Sequence, residues 1–371
     1  MPKLKFVDSL RGLAILGVLM VHCGMTGSGH DSMPDSLVTF LNSGQYGVQL
    51  FFLTSSFTLF LSYTSRSTNI INIKKNFFIR RFFRIVPLYY AGLLYYIIER
   101  VVGFNFFSTG LLLNEFSWGA FLSNIFFIHG ILPSWINSYV PGGWSITVEM
   151  TFYLLFPFIF SKVKNLNDSI LFFLLTLFIL TGLNFLLTTN IYWDKMNFLY
   201  YYLPNQMPVF ALGIMVNFLI VEKDKTIKNS TLVLTLFAGL FFCYIQIGVH
   251  ILFSLAFFLL LYILSKKEYK ILVNPITIYI GKISYSMYIT HFGIIYFLNR
   301  IGFVNYIIVD SPWSSVLNYI IRFAFLLILT IGLSTITFKI IEVPFQNIGA
   351  SIIKKIGLKK SILQPIIVSK E

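Results

Sequence analysis

Charge is scarce in this sequence. Only 11% of its 371 residues are Asp, Glu, Lys or Arg, and acids fill 14 positions against 28 basic ones. Soluble domains carry about 25% charged residues, so an ordinary water-facing surface is excluded for most of the chain. Cysteine is nearly missing as well. Cys23 and Cys243 are the only two, too few for a disulfide framework or a cysteine metal site. The long apolar stretches lack alternation, as in ILFFLLTLFILTGLNFLL from Ile170 to Leu187, which excludes an outer-membrane barrel. The first apolar run ends in a histidine rather than a small-residue cleavage site, so no cleaved signal peptide is expected. Internal repeats and low-complexity tracts are also absent.

What is present is hydrocarbon. Hydrophobic residues make up 57% of the chain, mean hydropathy is +0.79, and the bilayer is the solvent this composition suits. A membrane helix needs about 20 mostly apolar residues. The expectation is an all-α integral membrane protein of about ten transmembrane helices, near 9–24, 45–63, 85–103, 145–160, 169–188, 204–221, 230–247, 250–264, 278–300 and 316–341. Residues 118–130 are too short and broken to span and read as an interfacial or re-entrant piece.

The net charge of +14 would suggest nucleic acid in a soluble protein. Here it follows the positive-inside rule. With Lys3 and Lys5 in the cytoplasm, alternate loops carry Arg66, Lys74, Lys75, Arg80, Arg81 and Arg84, then Lys162 and Lys164, then Lys223, Lys225 and Lys228, then Lys266, Lys267 and Lys270. The opposite loops are nearly free of Lys and Arg, with Lys195 the main exception. Both termini are therefore expected in the cytoplasm. The division expected is a transmembrane domain over 1–345 and a basic cytoplasmic tail over 346–371, lying on the membrane surface. Glu342-Val343-Pro344-Phe345 reads as a helix stop bearing a cytoplasmic acid.

Four clusters resist this apolar description, and ionisable groups in a span point to function because insertion scales charge about 2.5–3.5 kcal/mol for them. The first is FVDSLRGLAILGVLMVH, residues 6–22. Asp8, Arg11 and His22 share one helical stripe, with Arg11 and His22 about 16 Å apart at 1.5 Å per residue. A local Asp8–Arg11 salt bridge and a headgroup-wetted His22 are the structural alternatives. The second is FFIRRFFRIVPLYY, residues 77–90, either a basic amphipathic surface stretch or an Arg80, Arg81, Arg84 clamp for phosphate oxygens. In the third, PGGWSITVEMTFYLLFP at 141–157, Ser145 and Glu149 fall one turn apart, and Glu149 needs a partner such as His22 or an arginine. In the fourth, KISYSMYITHF at 282–292, Ser284, Tyr288 and His291 share a face with Tyr285 adjoining. Polar glue between helices is its structural alternative. His129, His30, His250 and Cys23 read as structural.

These residues resemble the membrane acyltransferase-3 family, which includes bacterial O-antigen and polysaccharide O-acetyltransferases. Asp8-Ser9-Leu10-Arg11-Gly12 with ten residues between Arg11 and His22 resembles its first-helix signature, and Arg81 and Arg84 resemble its RxxR. Gly142-Gly143-Trp144-Ser145 with Glu149 resembles its GGWSL-x-x-E, and Ser284 through Tyr285, Tyr288 and His291 its SYxxYLxH. Departures are Ile146 in place of the commoner Leu, and Thr290 before His291. No stretch after Phe345 is long enough for the SGNH-type hydrolase domain of many relatives, so transfer by such a domain is not expected.

The resemblance implies a bacterial cytoplasmic (inner) membrane enzyme with acetyl-CoA as acyl donor and no metal. Arg11, Arg80, Arg81 and Arg84 would meet the cofactor, and the acceptor would be a glycan or lipid-linked oligosaccharide hydroxyl. His22 would act as general base or form an acyl-histidine, with Glu149 orienting the imidazole. Tyr288, Ser145 or His291 would donate to the oxyanion. The rival reading is a transporter or flippase using the buried charges for substrate or proton coupling. No inverted repeat or pair of broken helices supports it.

Overall fold

In hydrocarbon a backbone must satisfy its own hydrogen bonds, and long apolar runs do so as helices. A computed structural model describes residues 4–26, 32–67, 72–107, 117–188, 198–221, 248–303 and 311–368, and every long element among them is an α-helix. In chain order these are α1 (Lys5–Gly24), α2 (Asp35–Ser43), α3 (Gly47–Ser67), α4 (Ile73–Phe107), α5 (Trp118–Ile125), α6 (Gly143–Lys162) and α7 (Leu166–Thr188). The remainder are α8 (Leu203–Val221), α9 (Val249–Lys266), α10 (Pro275–Lys282), α11 (Ser284–Arg300), α12 (Pro312–Thr337) and α13 (Val343–Val368).

Six helical runs among the described residues are long and apolar enough to cross a membrane: α1, α6, Leu166–Leu186, Leu203–Ile220, α9 and Pro312–Gly357. Three other expected spans coincide with α3, the middle of α4, and α10 with α11, all helical but interrupted by polar groups or short. The expected span 230–247 lies outside the described residues, as do His30 and Cys243.

Close backbone approach seats the first helix. Gly12 lies against the backbone of Thr277, and Gly281 against that of Asp8; a Cβ at either glycine would overlap the facing helix. Small residues permit this contact, and Thr277 Oγ1 donates to Ser9 Oγ at 3.0 Å across it. Asn274 caps α10 with a reciprocal box through Thr277, and Pro275 occupies the first turn, where its missing N–H is harmless. The expected single span 278–300 divides at Ile283 (φ −96°, ψ 8°), between α10 and α11. The division comes two residues after the glycine pressed on α1.

Helix α8 packs between α3 and α7, joined to α6 by Phe152 and Phe210, whose rings stack 4.0 Å apart. Another aromatic stack, Phe77 on Phe156 at 5.2 Å, ties α4 to α6. At the far end of the chain the expected helix stop is overturned. A proline cannot donate to the carbonyl four residues back, yet the chain passes Pro344 without breaking. A π turn over Phe338–Glu342, in which Val343 N–H donates five residues back to Phe338, shifts the bonding register just before it. The helix continues as α13 and packs along α4, and Glu342 is buried, 4% exposed, rather than set in water.

Candidate active site

The arginines of α4 belong to one continuous helix that runs through Pro87, so their spacing fixes their directions. Arg80, Arg81 and Arg84 open onto a cavity together with Arg66 of α3 and Arg11 of α1. About 1110 Å³ of space outside atoms lies within it, part of it open to solvent. Gln346, Ala350 and Ile353 of α13 line it as well. Arg81 is held over the rings of Phe77 and Tyr153, 5.8 and 5.5 Å from their centroids, which fixes a planar guanidinium by stacking. Lys74 and Lys75 are exposed on the first turn of α4 and are not among the lining residues.

A second cavity adjoins the first, and Arg11 and Arg84 line both. Its walls combine Ser55, Ser145, Glu149, Ser284, Tyr285 and Tyr288 with apolar Val48, Phe51, Phe52, Ile85 and Ile146. At this junction Arg11 Nη2 donates to Thr58 Oγ1 at 3.0 Å. Asp8 acts on Arg11 electrostatically, but the two form no ion pair. Asp8 Oδ2 is buried without a hydrogen-bond partner among the described residues.

The carboxylate of Glu149 accepts from Ser55 Oγ at 2.7 Å and from the Tyr153 hydroxyl. It lies within electrostatic reach of Arg11 and Arg81. Of the two kinds of partner expected for it, arginine is within reach, whereas His22 is not among its hydrogen-bond partners. One turn earlier on α6, Ser145 Oγ is 2.8 Å from the Tyr288 hydroxyl, which donates to the Gly142 carbonyl at 2.9 Å. Gly142 adopts φ +71°, a left-handed conformation natural to glycine, and a side chain there would press on the Tyr288 hydroxyl. The Pro-Gly-Gly turn thus brings Tyr288 and Ser145 together. Tyr285 braces α11 against α4 by donating to the Ile85 carbonyl at 2.8 Å. Trp144 packs in an aromatic cluster with Phe52, Tyr200 and Tyr201 and supports the wall from behind.

Beyond Tyr288 lies a pair of histidines. The His291 ring is 5.7 Å from that of Tyr288 and 5.4 Å from that of His22, with Phe292 against both imidazoles. His22 is half-buried and His291 fully buried. Two carbonyls, Tyr288 O at 2.8 Å and Met287 O at 3.2 Å, face His291 Nδ1. Carbonyls only accept, so Nδ1 carries the hydrogen and Nε2 keeps its lone pair. That Nε2 is buried with no partner among the described residues. His129 and His250 have structural surroundings: His129 Nε2 faces Thr147 Oγ1 and the Gly143 carbonyl, and His250 Nε2 the Asn205 carbonyl. Among the described residues no group of three His, Cys, Asp or Glu converges as a metal site.

Most residues singled out in the sequence therefore converge. Arg11, Arg80, Arg81 and Arg84 share the first cavity. Ser145, Glu149, Tyr285 and Tyr288 share the second, and His22 meets His291. Sequence reasoning misses Ser55, Thr58 and Arg66 on α3 as members of the site, and Tyr153 on α6. The run Thr54-Ser55-Ser56 with Thr58 inside an apolar helix is the available signal; Tyr153 comes one turn after Glu149.

A family model described as an acyltransferase domain matches residues 4–339. Two proteins of Staphylococcus aureus, each named a putative O-acetyltransferase, also align. That of strain MRSA252 is 24% identical over 401 residues, covering 97% of this chain and 60% of its own length. That of strain COL is 24% identical over 383 residues, covering 92% and 57%. The chain thus spans about 60% of the length of these relatives. No solved structure matches. The match runs through every cluster from Asp8 to His291, and the chain belongs to the acyltransferase-3 family of multi-pass membrane proteins.

Proposed function

We propose that this protein transfers an acetyl group from cytoplasmic acetyl-CoA to a hydroxyl of a cell-surface glycan, such as O-antigen or exopolysaccharide, at the bacterial cytoplasmic membrane. One observation carries the reading: an arginine-lined cavity joins, at Arg11 and Arg84, a second cavity walled by Ser145 and Tyr288, whose ring adjoins the histidine pair. A polyanionic head suits the first, where five guanidiniums offer charge-assisted, bidentate bonds to phosphate. The slender arm of the donor suits the passage. The basic end then faces the cytoplasm with both termini, and the acceptor, free or lipid-linked, approaches from the opposite side.

In the transfer His22 takes the proton of the acceptor hydroxyl as its oxygen attacks the thioester carbonyl. The hydroxyls of Ser145 and Tyr288, which in the resting protein donate to the Tyr288 oxygen and the Gly142 carbonyl, rotate to donate to the developing oxyanion. The carbon–sulfur bond breaks, and the departing coenzyme A thiolate recovers the proton from His22. His291 stands beside His22 as its polar neighbour. Glu149, held by Ser55 and Tyr153, balances Arg11 and Arg81. The names of the staphylococcal relatives support acetyl as the group moved.

The test is purified protein with radiolabelled acetyl-CoA and a panel of glycan acceptors, wild type beside His22→Ala and Arg84→Ala. Label is expected in glycan for wild type alone. Undiminished transfer by His22→Ala would remove His22 as the base. Absence of transfer to every acceptor by wild type, with movement of unmodified solute across vesicles, would favour a transporter.

A further inference from the structure

The family match stops at residue 339, three positions short of a carboxylate buried among the site's own helices. Glu342 ends the π turn and is 4% exposed. One extra residue in a turn rotates the next stretch of helix by about 100°, and here Glu342 points inward while Ile340, two positions earlier, is 67% exposed. Ser286 Oγ of α11 donates to Glu342 Oε1. The π turn packs on α4, the helix that carries Arg84, and Arg84 acts on Glu342 electrostatically without forming an ion pair with it. Four, eight and eleven residues on, Gln346, Ala350 and Ile353 line the arginine cavity, so Glu342 heads the stripe of α13 that faces that cavity.

Arg84 is in a difficult place. It borders both cavities and has Arg11 and Arg81 as like-charged neighbours. Repulsion favours swinging its guanidinium out of the junction. Glu149 acts on Arg11 and Arg81, and Glu342 is the buried carboxylate on the side of α13.

We propose that Glu342 is a positioning residue for the acyl donor: from the π turn it holds the Arg84 guanidinium at the junction of the two cavities, where the donor's diphosphate passes into the arm-binding passage. The inference rests on the donor reading given above. It makes α13, beyond the family match, a working wall of the donor site rather than a surface tail.

The measurement is equilibrium binding of coenzyme A, without an acyl group, to the full chain purified in detergent, by titration calorimetry. Glu342→Gln keeps the shape and the acceptor for Ser286 but removes the charge. It is expected to weaken coenzyme A about tenfold, the size of coupling found between residues of one charge network. Arg84→Ala is expected to weaken binding too, and Glu342→Gln added to Arg84→Ala should weaken it no further. A helix-packing role for Glu342 would leave affinity at the wild-type value, or give a loss that persists in the Arg84→Ala background; either result overturns the proposal. If Glu342→Gln is not recovered folded, Glu342→Asp retracts the charge by one methylene and must lower affinity as well. Failure of wild type to bind coenzyme A would instead overturn the donor reading, and this inference with it.

Discussion

The imidazoles of His22 and His291 face each other 5.4 Å apart, centroid to centroid, on α1 and α11. Because His291 Nδ1 is bonded to the carbonyls of Tyr288 and Met287, its Nε2 is an acceptor held in a fixed orientation. On the proposed reading the two rings act as a unit in transfer, and groups that act as a unit are grossly non-additive on removal. His22→Ala is expected to lower the rate of acyl transfer by about 10²–10⁴-fold, the usual range for losing a general base. His291→Ala should lower it in the same direction, and the double variant should be no slower than His22→Ala alone. Single-turnover rates with labelled donor measure this; losses that multiply would separate the two rings functionally.

Arg66 gives a cleaner test of the proposed donor cavity, because it lies outside the family motifs yet lines the same space as Arg80, Arg81 and Arg84. A charge-assisted hydrogen bond contributes about 1.5–3 kcal/mol. Arg66→Ala should therefore raise the donor KM by about tenfold or more, leaving the rate at saturating donor near wild type. The loss should shrink as salt is raised, since screening weakens the arginine–phosphate attraction in the wild type too. Initial rates against acetyl-CoA at two ionic strengths decide it; an unchanged KM at low salt would take Arg66 out of the donor site.

Much of this site is legible in the sequence because hydrocarbon makes polar residues conspicuous. Arg11 and His22 stand out on α1 for that reason, and helix periodicity alone puts them on one stripe. Periodicity also pairs Ser145 with Glu149 and Tyr288 with His291. It says nothing of which helix faces which, so it offers His22 to Glu149, whose partners are in fact Ser55 and Tyr153. Glu342 escapes the sequence for a different reason. Pro344 signals a helix end, and the π turn that absorbs it leaves no mark in composition. The division at Ile283 is equally hidden, as is the contact of Gly281, two residues earlier, with a helix far away in sequence.

Glu149 offers a test of how the arginines are kept in place. Its carboxylate accepts two hydroxyl hydrogen bonds and sits near Arg11 and Arg81. Removing one partner from a buried charge cluster leaves the others uncompensated, and such losses run to about 3–5 kcal/mol when burial is complete. Glu149 is half-buried, so Glu149→Gln is expected to destabilise by less, about 1–3 kcal/mol. Transfer should fall as well. Thermal unfolding in detergent, measured beside the transfer rate, is the check; a melting temperature equal to wild type would mean that the arginines do not depend on this carboxylate.

The contact of Gly281 with Asp8 ties fold to function most directly. The facing atoms are the Asp8 carbonyl and the Gly12 backbone nitrogen, which cannot rotate away as a flexible side chain would. Even Gly281→Ala must push α1 off α10, and overpacking of this kind typically costs about 1–3 kcal/mol. Since α1 carries Asp8, Arg11 and His22, the displacement reaches both the cavity junction and the histidine pair, so transfer should fall with stability. Gly182 in α7 is the matched comparison: nothing lies within 4 Å of a Cβ built there. In an open helical position alanine is favoured over glycine by roughly 0.5–1 kcal/mol, so Gly182→Ala should be neutral or slightly stabilising and fully active. Melting temperature and transfer rate measured together for the two variants separate the cases. If Gly281→Ala melts and turns over like Gly182→Ala, the α1–α10 contact does not seat the catalytic helix.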